Sequence, residues 1–493
     1  MAPTVTISSG DLVGRSLGGV DAFLGIPFAA PPVGPLRWRP PAPVQPWSGA
    51  RDATRLAAAP LQADTTGSPA SRLVTMTEAV QDEDCLYLNV WAPTGPAASG
   101  RPVLVWIYGG AFVIGSGGQA MYDGARLAAA ADAIVVTINY RLGLLGWLRA
   151  DELGATGNEG LLDQLAALDW VQREISAFGG DPGNVTAFGE SAGAISIAAM
   201  LSRPGPKPFR KAVLQSGGPN LIQSVERATV ATGKLRAQLG ADLASWRDLS
   251  AAALLDAQNS ATPRSAGMFY GPIADGQSVA ADPLGAVAAG SAAGIDLLVG
   301  TNRDEMGFFL GIDPRTESLT DAVLARTAAG LCGGEERAQR LIDVYRSARS
   351  ARAEDASARA LWIAVASDAT FRSGALALAD GQAAHASVHA YLFDWVSPAE
   401  DGKVGSGHLL EVPFVFGTHR DPTCSSYTGA EKLRGADELA GLMQTAWAAF
   451  ARFGDPGWPA YEVPARLTQR LGRKPRVEAD PYGPERAAWN DVV

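Results

Sequence analysis

The sequence predicts an α/β protein in which a mostly parallel sheet is covered by helices, and two observations predict it. Short β-branched runs recur at residues 103–107, 134–139, 185–188, 212–214, 297–299 and 388–393, and each breaks into a loop. Between several of them lie apolar patterns of helical period, such as 161–175 and 195–201, which is the alternation that builds a parallel sheet.

Taken in order, the Pro- and Gly-rich stretch 29–44 reads as a loop, and the strand at 103–107 runs into Tyr108-Gly109-Gly110-Ala111-Phe112. The strand at 185–188 feeds Gly189-Glu190-Ser191-Ala192-Gly193, after which residues 192–202 continue as an apolar helix. Segments 225–256 and 318–352 turn Ala-, Leu- and Arg-rich with helical spacing and few strand signals, so they are expected to be helical cap insertions. No internal repeat or charge run marks a linker. Residues 1–493 are therefore expected to form one domain with these insertions, although the length alone would favour two or three.

Composition narrows the function classes. With 47% apolar and 19% charged residues there is material for a large core and no signature of disorder. Lys and Arg total 41 against 51 Asp and Glu, and the net charge of −10 repels phosphate backbones and anionic lipid, so nucleic acid is excluded as a partner. No stretch approaches the ~18 apolar residues of a membrane span, and residues 1–12 lack the pattern of a secretory signal. Cys85, Cys332 and Cys424 are far apart, odd in number and without a C-x-x-C pair, which suits reduced thiols in a cytoplasmic protein and no metal site.

The Gly-x-Ser-x-Gly segment carries the chemistry. With 56 glycines, roughly 0.4 such matches are expected by chance, so the motif alone is weak. Its place between an apolar strand and an apolar helix is what makes Ser191 a candidate nucleophile. A serine needs a base that can take its proton near neutrality, and an imidazole with a pKa of ~6.5 supplies one. The imidazole in turn needs a carboxylate to orient it.

There are four histidines, at 385, 389, 408 and 419, and all follow Ser191. His385 and His389 lie in or beside a strand and suit packing, while His419 reads as a solvated loop residue. His408, in Gly405-Ser406-Gly407-His408, is the best base on local grounds. For the acid, Asp304 and Glu305 both stand just beyond the strand at 297–299, where a catalytic carboxylate belongs, and the residues alone do not choose between them. Gly109-Gly110-Ala111 offers small residues whose backbone N–H groups can approach a developing oxyanion.

Several further segments resemble the type-B carboxylesterase and cholinesterase family. They include Phe23-Leu24-Gly25-Ile26-Pro27-Phe28-Ala29, Glu83-Asp84-Cys85-Leu86-Tyr87-Leu88-Asn89-Val90, Asn139-Tyr140-Arg141-Leu142-Gly143, Phe178-Gly179-Gly180-Asp181-Pro182 and Phe453-Gly454-Asp455-Pro456. The resemblance spans the whole chain and implies an α/β-hydrolase fold. It implies Ser191 as nucleophile, Glu305 as acid, His408 as base, and the N–H groups of Gly110, Ala111 and Ala192 as oxyanion donors. Glu190 and Ser216 match positions of a buried polar network beneath the triad.

Two departures are informative. Residues 71–84 hold no aromatic side chain where cholinesterases bind a cation, so that cation–π recognition is missing. The family's partner for Cys85 would fall near Ala59, where there is no cysteine.

The resulting expectation is a serine carboxylesterase that acts on small-molecule esters through an acyl-enzyme, with no metal or organic cofactor. The resemblance also implies that the Gly-Gly-Ala segment admits bulky or tertiary alcohol esters. Phe112, Met268, Phe269 and Tyr270 are candidates for the pocket wall, or equally for ordinary core. An amidase, a lactonase or a specialised detoxifying hydrolase would use the same triad. A non-catalytic binding protein would give no reason for the three triad residues to occur together.

Overall fold

The structure, a computed structural model, describes residues 2–75, 80–95, 100–240, 242–262 and 268–491, so Ala241 of the first expected cap segment lies outside the described residues. Its centre is a sheet of eleven strands. In chain order these are β1 (Arg15–Ser16), β2 (Val20–Pro27), β3 (Tyr87–Pro93), β4 (Arg101–Ile107), β5 (Ile134–Ile138) and β6 (Gly180–Glu190). There follow β7 (Lys211–Gln215), β8 (Asp296–Asn302), β9 (Val388–Phe393), β10 (Leu467–Leu471) and β11 (Arg476–Ala479). Their spatial order is β11-β10-β9-β8-β7-β6-β4-β5-β3-β2-β1.

Strands β4 to β10 all run parallel, while β1 to β3 and β11 add antiparallel edges. The six sequence-predicted runs are β4 to β9. Every residue of β4, β5, β7 and β9 is buried, which explains their continuous β-branched and apolar character. The antiparallel flanks were not legible as strands because their sequences carry no clean alternation.

Helices cover the sheet: α1 (Glu159–Glu174), α2 (Ala192–Ser202), α3 (Val225–Leu239), α4 (Ala251–Ala261), α5 (Asp321–Cys332), α6 (Glu335–Ala351), α7 (Ala358–Ser367), α8 (Ser373–Gln382) and α9 (Ala436–Phe453). The expected segment 225–256 is two helices, and 318–352 is another two. Side-chain oxygens set their starts, with Ser224, Ser250, Thr320 and Ser357 accepting the N–H of residues 227, 253, 323 and 360. Gly333 and Gly454 end α5 and α9 in the left-handed conformation.

One large core runs through the sheet and its covering helices. A second cluster, including Leu324, Leu341, Ile342, Tyr345, Leu361 and Trp489, joins α5, α6 and α7 to the C-terminal segment. Cys85, Cys332 and Cys424 are buried free thiols. Among the described residues no helix is long and apolar enough to cross a membrane.

Candidate active site

The sheet reverses direction of growth at β4, whose neighbours are β5 on one side and β6 on the other. Binding sites in open parallel sheets form at such a point, beyond the carboxyl ends of the strands. Here those ends deliver Gly110 after β4, Ser191 after β6, Ser216 after β7, Glu305 after β8 and His408 in the loop after β9.

Ser191 sits at φ 52°, ψ −119°, a strained conformation that turns β6 directly into α2. Close packing explains the flanking glycines. A Cβ on Gly193 would lie 1.9 Å from Ile107 O, and one on Gly189 would lie 2.7 Å from the same oxygen. The Ser191 N–H donates to Gln215 O (2.9 Å), which ties the turn to β7. Helix α2 is buried along its whole length, so the turn rests on a rigid base.

Glu305 is buried and fully engaged. Its Oε1 accepts from the Ser216 hydroxyl (2.5 Å) and the Asn302 N–H (2.7 Å), and its Oε2 accepts from His408 Nδ1 (2.7 Å). Asp304 turns elsewhere, accepting from Arg303 Nη2 (2.7 Å) and the Ser406 N–H (3.0 Å). Geometry thus separates the two carboxylates that the residues alone left equivalent.

The His408 loop is fixed by its backbone, whose N–H donates to Glu305 O (3.1 Å) and whose carbonyl accepts from Tyr427 Oη (2.8 Å). The imidazole Nε2 lies 2.9 Å from Glu190 Oε1, close but not aligned as a hydrogen bond. Burial works against the imidazolium, but Glu190 and Glu305 outweigh it and hold His408 well above its ordinary pKa. Burial raises the Glu190 carboxyl, and His408 only partly offsets it. The Ser191 hydroxyl has no hydrogen-bond partner among the described residues.

Opposite Ser191, Gly110 and Ala111 have φ 116° and 53°, and neither N–H donates to another group among the described residues. A Cβ on Gly109 would meet Glu190 Oε2 at 2.4 Å, and one on Gly110 would meet Ile114 O at 2.2 Å. Ala192 is the first residue of α2, so its N–H has no intrahelical partner. A Cβ on Gly109 would also lie 3.0 Å from Ser191 Cβ, so the 109–111 segment runs directly beside the serine turn.

The pocket candidates separate. The Phe112 ring is buried edge-on against Trp147 (4.7 Å between centroids), and Tyr270 is buried with its hydroxyl 3.4 Å from Thr262. Met268 and Phe269 are half-buried against α3, where Met268 O accepts from Arg227 (3.0 Å) and Lys234 Nζ lies 4.2 Å from the Phe269 ring centroid. None of the four contacts the Ser191 or His408 side chain in a ring or polar interaction among the described residues.

The site also holds residues that sequence reasoning passed over. Glu411 is buried, accepts from Gln215 Nε2 (3.0 Å) and Asn302 Nδ2 (2.7 Å), and is pushed up to about 8 by burial and by Glu190 and Glu305. Its position three residues after His408 was the only available signal. The rings of Phe371 and Phe309 lie 4.5 Å and 5.5 Å from the imidazole. His419 is buried rather than solvated, because it stacks on Phe414 (5.4 Å) and its Nε2 pairs with Asp437 (2.8 Å). His389 Nδ1 donates to Trp458 O (3.0 Å) and its Nε2 lies 3.3 Å from the Ser387 hydroxyl, which suits a packing role.

Comparison with known proteins agrees with this architecture. The profile of the carboxylesterase family matches residues 1–478. The chain is 37% identical to a para-nitrobenzyl esterase of Bacillus subtilis, over 98% of this chain and 97% of that one. It is 34% identical to a phenmedipham hydrolase of Pseudarthrobacter oxydans, over 94% and 93% of the two chains. Among solved structures it is similar to a thermophilic para-nitrobenzyl esterase, with TM-score 0.86 and 35% identity over 99% of this chain and 100% of the other. It superposes equally well on the carboxylesterase of Geobacillus stearothermophilus, with TM-score 0.86 and 36% identity over 99% of each chain. A parallel sheet with this reversal point, a serine at its strained turn and relatives matched from end to end leave one assignment: the chain belongs to the carboxylesterase family and is a carboxylic ester hydrolase.

Proposed function

We propose that Ser191, His408 and Glu305 carry out the hydrolysis. The single observation that supports this most is that the strand ends bring a strained Ser191, whose hydroxyl has no hydrogen-bond partner among the described residues, to the same end of the sheet as an imidazole whose Nδ1–H is held by a buried carboxylate. His408 Nε2 turns from Glu190 to Ser191 Oγ and takes its proton as the oxygen attacks the ester carbonyl. The tetrahedral oxyanion rests on the N–H groups of Gly110, Ala111 and Ala192. The alcohol leaves protonated by His408, and water, deprotonated by the same imidazole, releases the acid. Glu190 and Ser216 support this arrangement, Ser216 by its bond to Glu305.

The second, helical core is read as an insertion within the one catalytic domain. Three buried free thiols fit a reducing compartment, which supports a cytoplasmic location. The small, left-handed Gly110-Ala111 backbone leaves room beside the carbonyl, which supports acceptance of bulky alcohol parts.

The test is a p-nitrophenyl ester series with the wild type and Ser191→Ala. Turnover by the wild type with a loss of several orders of magnitude in the variant supports the assignment, and equal rates refute it. Hydrolysis of tert-butyl acetate tests the alcohol preference, and no turnover of any tertiary ester rejects it.

A further inference from the structure

The helix that leads from α7 to α8 is interrupted by a single π-helical turn, Asp368–Arg372. Such turns cost regular hydrogen bonds and are kept where they aim a side chain. This one has two unlike faces. On one, the Phe371 ring stacks on the His408 imidazole, with centroids 4.5 Å apart and planes inclined by 29°. On the other, Asp368 and Arg372 form a buried ion pair at 2.5 Å. An α-helix would leave residues 368 and 371 only about 60° apart around its axis, and the widened turn separates the ring further from Asp368.

The charged face is anchored far along the chain. Trp489 Nε1 donates to Tyr345 Oη (2.8 Å), and Tyr345 Oη donates to Asp368. Arg372 lies 4.7 Å from the Tyr482 ring centroid, and Arg352 covers the same ring at 4.5 Å while pairing with Glu485. The Thr370 carbonyl accepts from Asn220 Nδ2 (3.1 Å), and the Ser373 hydroxyl donates to Asp368 O (2.8 Å). Immediately upstream, Ser367 Oγ accepts the N–H of Met306, the residue after Glu305. Both the acid and the imidazole are therefore braced by the same stretch of chain.

We infer that Phe371 is a positioning residue for His408, and that the C-terminal residues Tyr482 and Trp489 hold it in place through the π turn. The inference rests on His408 being the catalytic base. Its Nε2 has two candidate partners, Glu190 and Ser191, so the ring must stay in one plane as it passes between them. A flat aromatic face supplies that plane without offering a competing hydrogen bond.

The experiment compares Phe371→Leu, Phe371→Tyr and Tyr345→Phe with the wild type on p-nitrophenyl acetate and p-nitrophenyl butyrate. For Phe371→Leu, kcat is expected to fall about tenfold or more on both esters while KM moves less than about twofold, because a misplaced catalytic group affects every substrate alike. Phe371→Tyr restores most of the rate, and Tyr345→Phe gives a smaller fall of the same kind. The downfield Nδ1 proton resonance of His408 broadens in Phe371→Leu and is sharp in Phe371→Tyr. If Phe371→Leu leaves kcat on the acetate unchanged and moves only KM for the butyrate, Phe371 is a pocket wall and the inference is overturned. Should Phe371→Leu fail to fold by thermal melt, Phe371→Met, of similar volume but without a ring, decides the same question. His408→Ala is the control: if it keeps wild-type turnover, the base assignment itself has failed, independently of Phe371.

Discussion

His408 presents its Nε2 to Glu190 Oε1 at 2.9 Å, so that both imidazole nitrogens face carboxylates while the Ser191 hydroxyl has no hydrogen-bond partner among the described residues. Two anions favour the imidazolium, and only the neutral ring can accept the serine proton. The acid limb of kcat/KM should therefore lie above the ordinary histidine range. Glu190→Gln removes one anion, which lowers the imidazole pKa and moves that limb to lower pH by about one unit or more. A pH profile from 5 to 10 checks this, and a limb that stays put would show that Glu190 does not act on His408.

The two neighbouring carboxylates of the 304–305 pair should behave as different residues. Glu305→Gln keeps the shape but replaces an acceptor of the Nδ1 proton with a weaker one, so kcat is expected to fall by roughly a thousandfold or more. Asp304 serves Arg303 and the Ser406 N–H instead. Asp304→Asn should cost about 1–3 kcal/mol of stability through the weakened buried pairing, with kcat of the folded fraction within about tenfold of wild type. Urea melts and kcat measured on both variants separate the roles, and a reversal of the two patterns would reassign the acid.

Much of this site was legible because backbone geometry demands particular residues. Glycines 189 and 193 were readable since any Cβ there meets the Ile107 carbonyl. The parallel strands were readable because burial on both faces forces apolar, β-branched runs. What stayed hidden depends on contacts across long sequence separations. Asp304 and Glu305 could not be told apart because the choice is made by His408 and Ser406, about a hundred residues away. Phe371 lies in a π turn that no helical period reveals. His419 looked solvated beside Arg420 and Asp421, although Phe414 and Asp437 bury it.

Glu411 gives a stability signature. Its carboxyl is pushed up to about 8 in the folded protein by burial and by its two anionic neighbours, against roughly 4.3 when unfolded. The folded state thus holds a proton that the unfolded state releases. That contribution is complete below about pH 4.3 and is lost as pH rises toward 8. Glu411→Gln should flatten the decline, making the variant's stability at pH 8.5 relative to pH 5 better than the wild type's by a few kcal/mol, on the order of 2–4. Urea midpoints at the two pH values test it. Parallel declines in both proteins would mean that Glu411 does not titrate in this window.

The last prediction concerns a buried ion pair two residues before Gly143, a residue that bonds to the chain just after the proposed oxyanion donors. Arg141 Nε and Nη2 each donate to Asp163 at 2.7 Å, and the Arg141 N–H donates to the same carboxylate at 3.1 Å. The side chains are 3% and 0% exposed, so neither charge has water to fall back on. Two residues on, the Gly143 N–H donates to Phe112 O (2.7 Å), which fixes the Phe112–Val113 peptide, one residue beyond Ala111. Asp163→Asn leaves the guanidinium buried without its counter-charge and should cost about 3–5 kcal/mol. Replacing both partners, as Arg141→Met with Asp163→Leu, removes the uncompensated charge and should recover a large part of that loss. The double variant also loses the acceptor that holds the Arg141 N–H. Its kcat should consequently stay well below wild type even where its urea midpoint returns, because the Gly143 contact to Phe112 is no longer held. Recovery of both stability and kcat would show that the pair stabilises the fold without placing the oxyanion donors.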